Sequence, residues 1–169
     1  MDHYAVFGKP ISQSKSPLIH SLFATQTKQS LEYTRVEPAI NGFDSAIAQF
    51  FADGGKGANI TAPFKLAAFE FASNRSDRAT ISGAVNTLQK CEDGSIFGDN
   101  TDGPGLVQDL LRLSIPLKNK RILVLGAGGA ARGVLQPLMA QQPAILMVAN
   151  RTASKAALLA SLIPNDKLT

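Results

Sequence analysis

Cysteine occurs once in these 169 residues, at Cys91, and tryptophan not at all. A single thiol excludes an intrachain disulfide framework and a zinc site built on cysteines. No apolar run approaches the ~18 residues that a membrane helix needs. The opening residues, MDHYAVFGKP, lack a basic segment leading into a long apolar stretch. They do not read as a secretory signal, and the expected location is cytoplasmic. Charge is modest, a formal +4, with one tight basic cluster at Lys118, Lys120 and Arg121. Nucleic-acid surfaces show a denser basic stripe interleaved with aromatics. Neither nucleic acid nor membrane is therefore expected as a partner, whereas small anionic ligands suit the balance. Internal repeats and low-complexity segments are also absent.

What is present is a 44% hydrophobic chain, enough for a real core. Short apolar runs alternate with helical patterns. YAVFG reads as a strand, followed by a helix from about Pro17 to Lys28, and LEYTRVE alternates in the strand period. Residues 42–52 predict a helix with Phe43, Ile47, Phe50 and Phe51 on one face. GANIT is a third strand, and Pro63 is expected to open the next helix, since its fixed φ suits a first turn. AVNTLQK and SIFGD flank CEDG, a hairpin signal carried by Asp93 and Gly94. After SIPLKNK come a buried-type strand RILVLG, a glycine-rich loop with a helix, a strand AILMVAN, and a last helix TASKAALLASLI.

The expected class is α/β. An N-terminal mixed, mostly parallel sheet covered by helices (residues 1–101) precedes an incomplete Rossmann-type dinucleotide-binding domain (residues 102–169). That fold is usually built from two βαβ halves, and only the first is legible here. A free sheet edge is therefore expected in the second domain. The region after about Leu117 is expected to be poorly ordered or covered by self-association with another copy.

GAGGAA places Gly126, Gly128 and Ala131 in a G-x-G-x-x-G/A pattern between a strand and a helix, the context a dinucleotide site requires. The next strand ends in Asn150-Arg151-Thr152, with Lys155 one turn on, and carries no acidic residue to bond a ribose 2′-hydroxyl. A guanidinium can pair with a 2′-phosphate, so NADP is favoured over NAD. Thr152 is equally a helix cap.

Other polar positions also admit two readings. Ser14 and Ser16 point to one side of an extended backbone, a pairing suited to a carboxylate, while Ser16 before Pro17 is also an N-cap. Lys65 sits where a helix dipole disfavours a cation, which suits an acid/base role, although most lysines simply reach solvent. Thr101 or Asp102 fits as a helix cap, and Asp102 equally as a carboxylate partner for a cationic acid/base. The Asn86 amide supplies both donor and acceptor for a polyol.

Taken in order, FGKPISQSKSPLIH, GGKGANITAPFK, SGAVNTL, GDNTDGPGL, VLGAGGAARGV and NRT resemble the shikimate dehydrogenase family over nearly the whole chain. The resemblance implies NADPH-dependent reversible reduction of 3-dehydroshikimate to shikimate in aromatic amino-acid biosynthesis. It makes Lys65 and Asp102 the catalytic pair and gives the substrate carboxylate to Ser14 and Ser16. Ring hydroxyls fall to Thr61, Asn86, Lys65 and Asp102, with Asn59 nearby. It assigns Gly126, Ala127, Gly128, Gly129 and Ala130 to the pyrophosphate. Asn150, Arg151, Thr152, Ala153, Ser154 and Lys155 take the 2′-phosphate end, and Asp77 is a carboxylate near the cofactor. Family chains run on for roughly another hundred residues, and that C-terminal part has no counterpart here. Two alternatives follow: a non-catalytic fragment of that enzyme, or a quinate/shikimate dehydrogenase of broader specificity.

Overall fold

The computed structural model describes residues 1–161 and Leu168. It divides into two compact units, one of Met1–Ser76 and Val85–Asp99, the other of Asp77–Ala84 and Asn100–Thr169.

The first unit is a six-stranded mixed sheet in the order β2-β1-β3-β5-β6-β4. Its strands are β1 (Asp2–Phe7), β2 (Leu31–Val36), β3 (Gly55–Ile60), β4 (Asn74–Arg75), β5 (Thr87–Lys90) and β6 (Ile96–Asp99). β1 runs parallel to both β2 and β3, β4 parallel to β6, and β5 antiparallel to β3 and β6. The helices are α1 (Ser16–Thr27), α2 (Phe43–Ala52) and α3 (Lys65–Phe71). A short 3-10 turn, Ile40–Gly42, precedes α2. Phe43, Ile47 and Phe51 of α2 are buried, as their helical spacing predicts. Phe7 of β1 meets Phe43 and Phe50 edge-on at 6.1 and 5.6 Å, and Phe43 stacks on Phe64 at 5.0 Å. Each such ring contributes about 1.5–3 kcal/mol by leaving water. Gly94 closes the β5–β6 turn at φ +85°, where the Asp93 carboxylate accepts both the N–H and the hydroxyl of Ser95. β4 and the helix after it had no visible signal, because two and six residues are too few to show a period.

The second unit holds α4 (Asp77–Ser82), α5 (Asp102–Arg112), α6 (Gly129–Ala140) and α7 (Ala153–Ala160). Its parallel strands are β7 (Arg121–Leu125) and β8 (Ile145–Ala149). Val107, Leu117, Leu135, Leu138, Leu146, Val148, Leu159 and Leu168 form one buried cluster. α7 is shorter than its pattern, and Leu162 and Ile163 lie outside the described residues. On the other sheet face Leu123 and Leu125 are 56% and 77% exposed.

Two expected helix starts are corrected by the backbone. Pro63 does not open α3. It lies in a turn closed by the Phe64 N–H donating to Thr61 O at 3.0 Å, and Ala62–Pro63 is cis. The first helical bond runs from Ala68 N–H to Phe64 O, so Lys65 itself begins the helix. Ser16 is not the cap of α1 either. It is the first helical residue after Lys15, and its own N–H donates to Ser14 Oγ at 3.3 Å.

Candidate active site

In the first unit the sheet order places a switch point between β1 and β3. The chain leaves β1 for β2 on one side, and β3 lies on the other. Ligands in open α/β sheets bind outside the carboxyl ends of strands at such a point. Ser14 and Ser16 follow β1, whereas Thr61 and Lys65 follow β3. The two segments are tied together by Lys9 N–H donating to Ala62 O (3.0 Å) and Thr61 N–H donating to Phe7 O (2.9 Å).

Their approach requires Gly8. A Cβ there would lie 2.5 Å from Thr61 Cγ2, 2.8 Å from Ile11 Cδ1 and 3.3 Å from Ala62 O. Gly8→Ala is therefore expected to cost about 1–3 kcal/mol of stability and to displace Thr61. Urea unfolding followed by circular dichroism checks the first effect. The Thr61 methyl resonance checks the second, and an unshifted methyl would show that the loops absorb the extra carbon.

Arg35 on β2 holds the serine segment, with Nε and Nη2 donating to Ser14 O at 3.1 and 2.6 Å. Ser14 Oγ donates to Ser16 Oγ at 3.2 Å, and the hydroxyls meet although Lys15 between them is helical (φ −90°, ψ −4°) and not extended as the alternating spacing supposes. Lys65 O accepts the Val85 N–H at 2.9 Å, which fixes the start of α3 beside the segment that carries Asn86. Asn86 is 8% exposed; its N–H donates to Asp99 O and its carbonyl accepts Ile60 N–H. Asn59 lies on β3 directly opposite Thr87 of β5. Ser14, Ser16, Asn59, Thr61, Lys65 and Asn86 thus all belong to this unit.

A groove of about 620 Å3 runs along the same sheet face, lined by Tyr4, His20, Tyr33, Asn59 and Thr87 among others. His20 stacks on Tyr33 with ring centres 4.1 Å apart and planes 7° from parallel. Burial raises the Tyr33 phenol pKa, opposed by a hydrogen bond from Ser16. Burial also lowers the His20 pKa, so that ring stays neutral near pH 7.

In the second unit Asp102 is the first residue of α5, and Thr101 occupies the cap position without a side-chain cap bond. Asn100 performs the local orienting instead. It is 1% exposed, its Oδ1 accepts the Asp102 N–H (3.2 Å), and its Nδ2 donates to Ala84 O (3.0 Å). Asp77 starts the short α4. The glycine-rich turn joins β7 directly to α6, with Gly126 at φ +111° and its N–H donating to Ala149 O at 2.7 Å. No atom lies within 4 Å of a Cβ placed at Gly126 or Gly128. That space and the free N–H groups opening α6 fit a pyrophosphate against Gly126, Ala127, Gly128, Gly129 and Ala130. Asn150 Nδ2 donates to Thr152 O, shaping the turn that bears Arg151. Thr152 stands at the α7 cap position, but its hydroxyl makes no cap bond. Ala153, Ser154 and Lys155 form the first turn of α7.

Among the described residues no cluster of His, Cys, Asp or Glu could hold a metal ion, and no helix is long and apolar enough to cross a membrane. Sequence reasoning missed Gly8, Tyr33, Arg35 and Asn100. Gly8, Tyr33 and Arg35 meet residues distant in sequence, and Asn100 bonds Ala84 as well as the nearby Asp102 N–H; the only prior signal was that Tyr33 and Arg35 share one face of LEYTRVE.

Two family models match in succession. The shikimate dehydrogenase substrate binding domain matches residues 6–88, and the shikimate / quinate 5-dehydrogenase model matches residues 108–169. The shikimate dehydrogenase (NADP(+)) of Vibrio atlanticus is 59% identical over 162 residues, covering 96% of this chain and 59% of the relative. The chain thus spans about three-fifths of the length of the curated relatives it matches. Shikimate dehydrogenase from Aquifex aeolicus superposes with a TM-score of 0.92 at 34% identity, over 100% of this chain and 62% of that one. The Thermus thermophilus enzyme, solved with NADP(H) and shikimate, gives 0.88 at 32% identity, over 97% and 63%. With sequence identity, structural superposition and both matched regions in agreement, the chain belongs to the shikimate dehydrogenase family.

Proposed function

We propose that this chain carries the shikimate-binding part, and the opening of the NADP-binding part, of an enzyme that reversibly reduces 3-dehydroshikimate to shikimate. The observation that carries this reading is the 59% identity over 162 residues to a shikimate dehydrogenase (NADP(+)). Ser14 and Ser16 hold the carboxylate through their paired hydroxyls. Thr61, Asn86, Lys65 and Asp102 take the ring hydroxyls, with Asn59 beside them. Hydride comes from or returns to the bound nicotinamide. In reduction Lys65 gives a proton to the C3 oxygen as that carbon takes hydride, and in oxidation it receives the proton back. Asp102 supplies the carboxylate that pairs with the ammonium and orients the hydroxyl. Asp77 is the carboxylate assigned near the cofactor.

Spectrophotometric reduction of NADP+ by shikimate tests the reading, with calorimetric binding of shikimate run alongside. Turnover supports the enzyme reading. Binding without turnover favours a non-catalytic fragment, and equal turnover of quinate favours the broader specificity. The cytoplasm, where such a biosynthetic enzyme meets NADPH, is the proposed location.

NADP preference is assigned to Arg151 and its neighbours from Asn150 to Lys155. Arg151→Ala is expected to weaken NADP+ binding about tenfold or more, the loss of a charge-assisted pair, and to leave NAD+ binding nearly unchanged. Equal losses for both cofactors would remove Arg151 from that role.

Self-association is proposed through the second unit. There β7 pairs only with β8 among the described residues, and Leu123 and Leu125 face outward. Sedimentation should show a concentration-dependent dimer that Leu125→Lys disperses. A strict monomer at all concentrations would refute it.

A further inference from the structure

The backbone between β1 and α1 is held at two points by side chains from the end of β2. Ile11 to Ser14 forms a turn closed by the Ser14 N–H donating to Ile11 O at 3.0 Å. At its first residue the Ile11 N–H donates to Glu37 Oε2 at 3.1 Å. At its last, Ser14 O accepts Arg35 Nε at 3.1 Å and Arg35 Nη2 at 2.6 Å. Arg35 and Glu37 flank Val36, the last residue of β2, at the spacing that sends two side chains to one side of an extended backbone. Val36 pairs with Phe7 of β1, and its carbonyl accepts the Gly8 N–H at 3.3 Å. Strand pairing thus delivers the turn to the two side chains that hold it.

Both contacts join a formal charge to a peptide group, the stronger class of hydrogen bond. The planar guanidinium places two donors on one carbonyl, which fixes the Ser14 peptide in angle as well as distance. Lys9 Nζ lies 3.8 Å from Glu37 Oε1 and offsets the negative charge on that side. The serine pair depends on such support. Lys15 between the two serines is helical, so strand alternation does not bring their hydroxyls together. They meet because Ser14 Oγ accepts the Ser16 N–H at 3.3 Å and donates to Ser16 Oγ at 3.2 Å. Ser16 is placed by α1, whose first turn is closed by the Ile19 N–H on Lys15 O. Ser14 lies outside the helix and is placed by the turn that Arg35 and Glu37 hold.

We infer that Arg35 and Glu37 are positioning residues that fix the Ile11–Ser14 turn, and through it the Ser14 hydroxyl that meets the ligand carboxylate. The inference rests on the carboxylate role given to Ser14 and Ser16 in the proposed function.

Four variants separate shape from charge: Arg35→Ala, Arg35→Lys, Glu37→Ala and Glu37→Gln. The first readout, amide hydrogen exchange, needs no ligand. The Ser14 N–H should exchange faster in Arg35→Ala, and the Ile11 N–H faster in Glu37→Ala, with recovery in Glu37→Gln, which keeps an acceptor oxygen. Unchanged Ser14 exchange in Arg35→Ala overturns the inference, with or without activity. The second readout is calorimetric. The Kd for shikimate should rise about tenfold in Arg35→Ala, the loss of a charge-assisted pair, and stay raised in Arg35→Lys, which keeps the charge without the fork. Full recovery in Arg35→Lys would mean that the cation attracts the carboxylate directly, and overturns the positioning role. In a Ser14→Ala background Arg35→Ala should cost little more, because it acts through that residue; a full tenfold loss there overturns the role as well. Faster exchange with an unchanged shikimate Kd does the same. If wild type binds no shikimate while exchange responds as stated, the functional reading fails and the hold on the turn stands.

Discussion

Lys65→Met is expected to lower shikimate turnover about a thousandfold, within the range a positioned proton-transfer group supplies. Methionine matches the length of the lysine stem and removes only the ammonium. Lys65 begins a short helix, with its carbonyl holding Val85 N–H, so the backbone constraints on the segment are untouched by the change. The loss should appear mainly in kcat if the group acts in the transition state, with KM for shikimate rising less. Asp102→Asn should fall in the same direction by a smaller factor, because its amide still bonds a hydroxyl but cannot stabilise an ammonium. Steady-state kinetics, with circular dichroism to confirm folding, decide the matter. An unchanged kcat in Lys65→Met would remove the lysine from the chemistry.

The second large effect is on stability and concerns Gly103 in α5. A Cβ at this position would lie 2.3 Å from the backbone oxygen of Gly133 in α6 and 2.5 Å from Pro137 Cγ. A backbone carbonyl cannot rotate away as a side-chain tip can, so Gly103→Ala must separate two packed helices. Val107 on α5 and Leu135 and Leu138 on α6 belong to one buried cluster, and parting the helices loosens it. A loss of about 3 kcal/mol, the upper part of the overpacking range, is expected. Gly105, two residues on in the same helix, is the internal control. Nothing lies within 4 Å of a Cβ there, so Gly105→Ala should be neutral or stabilise by up to about 1 kcal/mol. With no tryptophan in the chain, urea unfolding is followed by far-ultraviolet circular dichroism. Equal midpoints for the two variants would show that the helices do not meet as described.

Much of the architecture was legible because it is written locally. The alternation in LEYTRVE and the spacing of Phe43, Ile47 and Phe51 each report on a few neighbouring residues, as does the Asp93-Gly94 turn, and all three appear where expected. The glycine-rich turn was equally readable, because Gly126 needs a positive φ between a strand and a helix. Helix starts were less so. Ser16 and Pro63 both carried the right residue types, but the first intrahelical bond depends on how the preceding loop arrives, and in each case the helix began elsewhere.

By itself the sequence determined the order of the strands and helices other than β4 and α4, the turn that suits a pyrophosphate, and the family. These rest on contacts a few residues apart or on whole-chain similarity. Only the tertiary structure decided that Tyr33, Asn59, Thr87 and Asn86 share one hydrogen-bond chain, and that Asn100 bonds the carbonyl of Ala84. Tyr33 and Asn59 are 26 residues apart, and Asn59 and Thr87 are 28 apart. They meet because the strand order β2-β1-β3-β5 differs from the chain order, and because strand register turns their side chains to one face. No periodicity within a single strand carries that information, since it arises only when separate strands pair.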